Sequence, residues 1–166
     1  MSVIAVRVKE DGFEMSSDSI TVRGNTQSRG NDSTFSKLFD INGIVIGSSG
    51  LAEEVSLLKL FSKNRTPAES TEQGILEFIS EFQDWKKKKT DSGDISSYFF
   101  IGYENNVFYV HGWHIEKIKT YQAIGAGMDF ALASMYLGHS TEDAVKTAIE
   151  LSVYCESPVI TIKKGT

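Results

Sequence analysis

The sequence predicts an α+β fold of four layers, αββα, in which two antiparallel sheets face each other and helices cover both outer faces. Segments with strand character come in groups, segments with helical spacing come in pairs, and the order along the chain is strands, two helices, strands, two helices, strand. Strands grouped apart from helices favour α+β over an alternating parallel α/β sheet. We expect one domain over residues 1–166, which is long enough to bury a substantial core.

Two hairpins are predicted in the first half of the chain, because two pairs of apolar segments are each joined by a dipeptide that favours a tight turn. The dipeptides are Asp11-Gly12 and Asn42-Gly43. The strands are expected at residues 3–8, 13–22, 34–41 and 44–46, with a polar loop over residues 23–33. The first strand is apolar on both faces, which indicates burial within a layered structure and an N-terminus that is held in place.

Four helices and four further strands are predicted in the rest of the chain. Apolar residues recur at helical spacing in two segments before residue 90, and a run of small residues and a capping sequence begin two more helices after residue 125. The helices are expected at residues 51–63, 70–88 and 128–137 and from a cap at 139–143 to about residue 154. The strands are expected at residues 97–103, 107–111, 115–123 and 159–163.

The composition excludes several classes of function. The chain has 17 basic and 22 acidic residues and a formal charge of -5, so nothing favours nucleic acid as a partner. Cys155 is the single cysteine, which excludes an intrachain disulfide and suits a reducing compartment. No apolar run approaches the roughly 20 residues of a membrane span, and the N-terminal apolar run is too short for a signal peptide. We therefore expect a cytoplasmic protein that does not bind membranes.

The second residue is a candidate nucleophile. If the initiator Met1 is removed, Ser2 carries a free amine and a hydroxyl on the same few atoms. An α-amino group has a pKa of about 8, close to the pH at which a general base works best. A hydroxyl activated by its own terminal amine is one known route to covalent catalysis. Met-Ser is also a common start for any protein, so the assignment needs partners elsewhere in the chain.

A lysine occupies an otherwise apolar strand face. Alternation over residues 34–41 places Phe35, Lys37, Phe39 and Ile41 on the same face. Two interpretations are open. The aliphatic part of Lys37 extends to the edge of the sheet, where the ammonium is hydrated, or the ammonium is buried in a dry site with a lowered pKa.

Five short segments, in this order and spacing, resemble one known family. They are the hydroxyl residue Ser2 before an apolar strand, Ser17-Asp18-Ser19, Ser36-Lys37-Leu38, Gly47-Ser48-Ser49-Gly50-Leu51-Ala52 and Ala123-Ile124-Gly125-Ala126-Gly127. The chain resembles proteasome β-type subunits, and in its length the short bacterial relative HslV, within the N-terminal-nucleophile hydrolases. The resemblance implies a single proteasome-like domain with the αββα sandwich of that class, and a threonine- or serine-type endopeptidase that acts in proteolysis.

The resemblance also implies roles for five residues. Ser2 matches the nucleophile, where the family more often has Thr. Asp18 matches the carboxylate that orients the catalytic lysine, and Lys37 matches that lysine, whose charge lowers the pKa of the nearby amine and hydroxyl. The backbone N–H of Gly50 matches the donor to the oxyanion. Ser157 matches the Ser of an Asp-x-x-Ser pattern near the C-terminus.

Each of these assignments has a structural alternative. Asp18 could be a strand-end carboxylate bonded to backbone N–H groups, and Lys37 could pair with it for structural reasons alone. Gly47 and Gly50 could serve a tight turn. Two further positions depart from the family pattern, because Ala126 stands where active subunits carry Ser and Tyr154 stands where they carry Asp.

Three hypotheses follow. In the first, the chain is a peptidase subunit of a homo-oligomeric ring that cleaves peptides or unfolded proteins, with an unfolding ATPase as its natural partner. In the second, Ala126 and Tyr154 mark a catalytically inactive ring or scaffold subunit. In the third, the nucleophile acts on a small amide. Ring assembly would count against this third reading.

No cofactor or metal is predicted. His111, His114 and His139 are too scattered for a metal site, and Cys155 is expected to be a buried apolar residue. Gly125-Ala126-Gly127 lacks the third glycine and the strand-helix context of a dinucleotide fingerprint.

Overall fold

The computed structural model describes residues 1–29 and 32–165. Eleven strands and four helices lie in these ranges. The strands are β1 (Ile4–Lys9), β2 (Gly12–Ser17), β3 (Thr21–Arg23), β4 (Thr26–Ser28), β5 (Leu38–Ile41), β6 (Ile44–Ser49), β7 (Tyr98–Tyr103), β8 (Asn106–His111), β9 (His114–Lys117), β10 (Tyr121–Ile124) and β11 (Ile160–Lys164). The helices are α1 (Ala52–Ser62), α2 (Glu72–Thr90), α3 (Met128–Tyr136) and α4 (Thr141–Leu151).

The described residues form two antiparallel sheets that face each other. The first sheet has the order β10-β1-β2-β11 and the second has the order β5-β6-β7-β8-β9, while β3 and β4 form a separate hairpin. Helices α3 and α4 pack on the outer face of the first sheet, and α1 and α2 pack on the outer face of the second. The predicted αββα sandwich is therefore confirmed.

Strand β1 is central to the first sheet and buried on both faces, as its sequence predicts. Ile4 and Val6 point into the space between the sheets, whereas Val3 and Ala5 point toward α3 and α4. Burial of each large apolar side chain stabilises the fold by about 1.5–3 kcal/mol. The strand that carries Ser2 is therefore held firmly without help from Met1.

The second hairpin is confirmed, with Asn42 and Gly43 in the left-handed region at φ 52° and 80°. Other segments differ from the predictions. The strand predicted at residues 13–22 is interrupted after β2, because the Asp18 carboxylate binds the backbone N–H of Ile20 and prevents regular pairing there. The polar loop predicted at residues 23–33 contains β4, and its residues 30 and 31 lie outside the described ranges.

A single strand predicted at residues 115–123 is two strands in different sheets. The chain leaves the second sheet after β9 and enters the first sheet at β10. At the crossing, the Ile118 N–H donates to the Val107 carbonyl of the second sheet, and the Thr120 carbonyl accepts from the Val8 N–H of the first. The helix predicted to extend to about residue 154 ends at Leu151.

A buried carboxylate joins the first sheet to α4. Glu14 Oε1 on β2 accepts hydrogen bonds from the Thr141 hydroxyl (2.6 Å) and the Thr141 N–H (3.2 Å). Its Oε2 lies 3.2 Å from the ammonium groups of both Lys9 and Lys163. Burial raises the pKa of Glu14, but the hydrogen bonds from Thr141 and the two lysines outweigh burial and lower it to about 2.

We expect Glu14→Gln to destabilise the protein in a pH-dependent way. The folded pKa lies below the unfolded one, so the carboxylate contributes stability above about pH 4.5, and this contribution is lost as the pH falls toward 2. The expected loss at pH 7 is on the order of 3 kcal/mol, shrinking toward pH 2. Urea denaturation across this pH range measures it, with Glu10→Gln in the exposed first turn as the control. Equal destabilisation at both ends of the range would contradict the assignment.

Candidate active site

Three elements hold Ser2 where the two sheets meet. Its hydroxyl donates to Ser49 Oγ, at the end of β6, over 3.1 Å. Its carbonyl accepts from the Gly127 N–H just before α3, also over 3.1 Å. A Cβ on Gly125 would collide with the same carbonyl, so this approach of the α3 entry to residue 2 requires glycine there. Ser2 is fully buried while Met1 precedes it.

Asp18 is the centre of the hydrogen-bond network around the N-terminus. Its Oδ1 accepts from the Val3 N–H (2.9 Å) and from Lys37 Nζ (2.8 Å). Its Oδ2 accepts from the N–H groups of Ile20 and Glu156, each over 3.2 Å. One carboxylate oxygen therefore binds both the lysine ammonium and the residue after the candidate nucleophile. Two of the sequence-predicted site residues, Asp18 and Lys37, are thus in direct contact, and Ser2 is the residue next to Val3.

Lys37 is only 8% exposed and lies immediately before β5. Its carbonyl accepts from the Ser48 N–H (2.8 Å) and the Ser48 hydroxyl (3.1 Å), which fixes its backbone against β6. Burial lowers the pKa of the Lys37 amine, while the adjacent Asp18 carboxylate opposes the shift. Of the two interpretations offered by the sequence, the dry site is therefore the one observed.

Gly50 follows β6 in a conformation that requires glycine. Its φ is 147°, and a Cβ would collide with the side chain of Ser97. Among the described residues no acceptor is found for its N–H. The next N–H, that of Leu51, donates to Ser97 Oγ over 2.9 Å. The hydrogen bond of Leu51 to Ser97 therefore fixes the backbone next to Gly50, while the N–H of Gly50 stays available to a ligand.

A second buried network fixes Ser97, and nothing in the sequence analysis identified it. Glu54 on α1 accepts from the N–H groups of Ser96 (3.1 Å) and Ser97 (2.8 Å). The Lys86 ammonium lies 4.0 Å from Glu54 and donates to two carbonyls of the loop before β7. The network holds the loop that in turn holds Leu51 beside Gly50.

Ser157 lies apart from the cluster. It is exposed and its hydroxyl donates to Glu156 Oε1 over 3.0 Å. The side chain of Glu156 also binds Arg29 (3.2 Å), so it does not reach Ser2 either. The segment still contributes its backbone, because the Glu156 N–H binds Asp18 and its carbonyl accepts from the Ser19 N–H.

Ser49 is a site residue that the sequence analysis missed. Ala126 lines the adjacent cleft and Tyr154 is half-exposed, so neither supplies a polar contact to Ser2 in the described residues. The Ser49 hydroxyl does supply one. The signal lies in Gly47-Ser48-Ser49-Gly50, where the second of two hydroxyl residues directly precedes Gly50.

Cys155 is buried near the cluster, and its thiol packs where Gly127 leaves room. Burial raises the pKa of this thiol to about 11, with the Asp18 carboxylate adding to the effect. The thiol is therefore protonated at neutral pH and is no competitor for the nucleophile's role.

Two clefts lie on either side of the N-terminus, and both are lined by Met1 and Gly50. The larger, about 650 Å³, is the tyrosine cleft, lined also by Tyr98, Tyr109, Glu116 and Met128. The smaller, about 210 Å³, is the Phe35 cleft, lined also by Val22, Phe35, Lys37 and Val55. Any ligand that spans both clefts must pass Met1 and Gly50, the two residues that the clefts share.

Met1 lies between the clefts and is 55% exposed. Its peptide bond removes the free amine from Ser2. It also holds Ser2 at φ 144°, a region that costs a non-glycine residue about 1–3 kcal/mol. Removal of Met1 would eliminate this torsion altogether, because a terminal residue has no φ.

No group of three or more His, Cys, Asp or Glu side chains that could hold a metal ion occurs within residues 1–29 and 32–165. In the same ranges, none of the helices combines the length and apolar character needed to cross a membrane.

This fold is that of HslV and of proteasome-type N-terminal-nucleophile hydrolases. The chain is similar in structure to BPH from Thiobacillus denitrificans in complex with epoxomicin, with a TM-score of 0.85 and 16% identity over 98% of both chains. It is also similar to HslV from Trypanosoma brucei (TM-score 0.74, 18% identity, 99% of both chains). Anbu, the ancestral β-subunit, from Yersinia bercovieri gives a TM-score of 0.71 and 14% identity over 98% of this chain and 81% of its own. No protein-family model and no curated protein matches the sequence.

Proposed function

We propose that the chain is a peptidase subunit that uses Ser2, after removal of Met1, as an N-terminal nucleophile. The observation that carries the proposal is the shared Asp18 oxygen, which binds the Lys37 ammonium and the Val3 N–H together. This arrangement places a fixed positive charge beside the residue that would bear the free amine. A neighbouring cation lowers the pKa of an amine, so that more of it is neutral and able to act as a base.

The proposed reaction has two halves. The Ser2 amine takes the proton of its own hydroxyl, and Oγ attacks the peptide carbonyl while the Gly50 N–H stabilises the oxyanion. The amine returns the proton to the leaving nitrogen as the peptide bond breaks, which leaves an ester on Ser2. Water then attacks the ester and gives its proton to the same amine. The amine returns this proton to Oγ as the ester bond breaks, so the acid product leaves and the Ser2 hydroxyl and free amine are regenerated.

The geometry at Met1 supports its removal. With Met1 present, Ser2 has a positive φ that serine disfavours, and half of the Met1 surface is accessible to an aminopeptidase. The strand that follows does not depend on Met1 for its position, since Val3, Ile4, Ala5 and Val6 are all fully buried. A chain that begins at Ser2 would thus keep its fold and expose an amine between the two clefts.

The two clefts favour an extended peptide as substrate. Each is open and lies on one side of residue 2, so together they can hold the residues before and after a scissile bond. The short strand β3 contributes Thr21 and Val22 to the Phe35 cleft, where main-chain groups could pair with an extended peptide. Peptides and unfolded proteins fit this geometry better than a small amide does.

Reaction with a peptide epoxyketone tests the proposal. Such a compound offers a ketone to the Ser2 hydroxyl and an epoxide to the Ser2 amine, so a stable adduct requires both groups on one residue. Epoxomicin, present in the complex with BPH, is a suitable reagent. We expect intact-mass spectrometry to show one adduct per chain that begins at Ser2. The matched control is the same chain with Met1 retained, which should form no stable adduct.

Equal labelling of both forms, or no labelling of the form that begins at Ser2, would contradict the proposal. The second outcome would favour a catalytically inactive scaffold subunit. Ala126 and Tyr154 are the observations that favour this second candidate, because neither places a polar group at Ser2. The N-terminal residue of the protein from its native cell bears on the same choice, since retained Met1 favours the scaffold.

We further propose that the chain assembles with copies of itself. Large apolar side chains are exposed on α3, at the C-terminal end of α4 and on the segments that follow these two helices, which favours a protein–protein contact on this side of the fold. They are Phe130, Tyr136, Leu137, Leu151, Val153 and Tyr154. Anbu from Pseudomonas aeruginosa, with the same fold, forms a helical assembly. Enclosure within an assembly would protect folded proteins from the nucleophile, and an unfolding ATPase is the partner that such enclosure requires. The single buried cysteine suits a cytoplasmic setting.

A further inference from the structure

We propose that the tyrosine cleft binds a basic side chain, that of the substrate residue directly after the scissile bond. The inference rests on the proposed function, because it assigns the leaving half of the peptide to this cleft. It concerns a feature of the fold that the proposed reaction does not use: two tyrosines and one carboxylate beside the nucleophile.

The three side chains lie on one face of the second sheet. Tyr109 on β8 and Glu116 on β9 are directly opposed partners in the antiparallel ladder, so their side chains point to the same side. The Tyr98 ring lies 6.4 Å from the Tyr109 ring, centroid to centroid. Tyr98 is itself held by stacking on His111, with centroids 4.0 Å apart and ring planes at 7°.

The charge of the cleft points to a cation. Among the described residues that line it, Glu116 is the one with a charged side chain. Burial raises the pKa of Tyr109, and Tyr98 and Glu116 raise it further, so the tyrosine ring stays neutral and presents an electron-rich face. A carboxylate beside two tyrosine rings attracts an ammonium or guanidinium by charge and by cation–π contact. The volume of about 650 Å³ accommodates a lysine or arginine side chain.

One nearby group opposes this preference only weakly. His114 Nε2 lies 3.4 Å from Glu116 Oε2, and both side chains are more than half exposed. An exposed pair of this kind contributes little, and it is an ion pair only when His114 is protonated. A substrate cation, held against the tyrosine rings as well, can displace it.

We assign the acyl half of the peptide to the other cleft, the Phe35 cleft. Thr21 and Val22 of the short strand β3 line it, and an extended peptide can pair with such a strand. The leaving half then passes residue 2 into the tyrosine cleft. The leaving nitrogen is thereby kept beside the Ser2 amine, from which it must receive a proton.

Internally quenched peptides that differ only in the residue after the scissile bond test the inference. We compare lysine, norleucine and glutamate at that position, using the protein that begins at Ser2. We expect kcat/KM for lysine to exceed that for norleucine by about tenfold, and that for glutamate by more. In Glu116→Gln the lysine preference should fall to within about twofold, and Glu116→Lys should prefer glutamate. Glu104→Gln, in the exposed β7–β8 turn, is the matched control and should keep the parent preference.

The outcomes separate this inference from the proposed function. Cleavage without a charge preference, or a lysine preference that Glu116→Gln leaves unchanged, overturns the inference and leaves the peptidase in place. If no peptide is cleaved, binding of Lys-Ala-Ala amide and norleucine-Ala-Ala amide is measured by NMR through the ring signals of Tyr98 and Tyr109. Selective binding of the lysine peptide, lost in Glu116→Gln, supports the cleft even without hydrolysis, and equal or absent binding overturns it.

Discussion

Replacement of Ser2 by Ala is expected to abolish peptide hydrolysis while leaving the protein folded. Alanine is as small as serine, so Met1 removal should proceed in both proteins and the change should be confined to one hydroxyl. Without Oγ no ester forms, and the terminal amine has no proton to take from a nucleophile. We expect kcat to fall by about 10⁴-fold or more, as it does in other enzymes when a nucleophile that acts together with its base is removed. Hydrolysis of a quenched peptide measures kcat, and thermal unfolding confirms the fold.

Ser49→Ala is the matched control for this change. It removes the same hydrogen bond, Ser2 Oγ to Ser49 Oγ, from the other end and leaves the nucleophile present. Either substitution removes one hydrogen bond, so each should lower the unfolding free energy by only about 1 kcal/mol. We expect Ser49→Ala to lower kcat by about tenfold, through poorer orientation of the Ser2 hydroxyl. Activity in Ser2→Ala equal to that of the parent would exclude Ser2 as the nucleophile.

The parts of the fold that depend on local periodicity could be predicted from the sequence. The nearly continuous apolar run at residues 3–8 and the Asn42-Gly43 turn are properties of neighbouring residues, and the structure has a buried strand and a tight turn there. The single strand predicted at residues 115–123 is wrong because apolar character continues through Ile118 while the chain crosses between sheets. The choice between one strand and two depends on which sheet edge is open, and neighbouring residues do not encode that.

The candidate site divides in the same way. Ser2 and Lys37 stand out in the sequence by their positions, and the resemblance adds Asp18. The hydrogen bonds that Asp18 accepts from Lys37 and from the Val3 N–H, next to Ser2, are a tertiary fact that no local pattern contains. Glu54 and Ser97 could not be predicted, because a glutamate in the first turn of a helix is ordinarily solvated. Its burial here depends on the loop before β7 folding over it.

The largest effect on stability is expected from Asp18→Asn. Both carboxylate oxygens accept backbone N–H groups, and Oδ1 also accepts the Lys37 ammonium. An asparagine replaces one acceptor oxygen by an NH₂ donor. This donor would then face a backbone N–H group or the ammonium, and two donors repel each other. It also leaves a buried ammonium without its counter-charge, which typically costs about 3–5 kcal/mol. Chemical denaturation measures this loss, and we expect Asp18→Asn to be inactive as well.

Lys37→Met separates the chemical role of the lysine from its structural role. Methionine fills a similar space and leaves Asp18 with its three backbone N–H donors, so the expected loss of stability is smaller, about 1–3 kcal/mol. The positive charge beside the Ser2 amine is gone, so the pKa of the amine should rise and the pH optimum should move upward as kcat falls by about 10³-fold. The double variant with Asp18→Asn should be less destabilised than the sum of the two single changes, because no uncompensated ammonium remains.

Lys86→Met provides the comparison that decides between the two roles. Lys86 is also buried and also lies near a carboxylate, but it contacts loop carbonyls and not the N-terminus. We expect Lys86→Met to lower the unfolding free energy about as much as Lys37→Met does. Its kcat should fall by less than about tenfold and its pH optimum should not change, since no charge near the Ser2 amine is altered. If Lys37→Met behaved in this way too, the lysine would be a structural partner of Asp18. The base at Ser2 would then have to work at the ordinary pKa of a terminal amine.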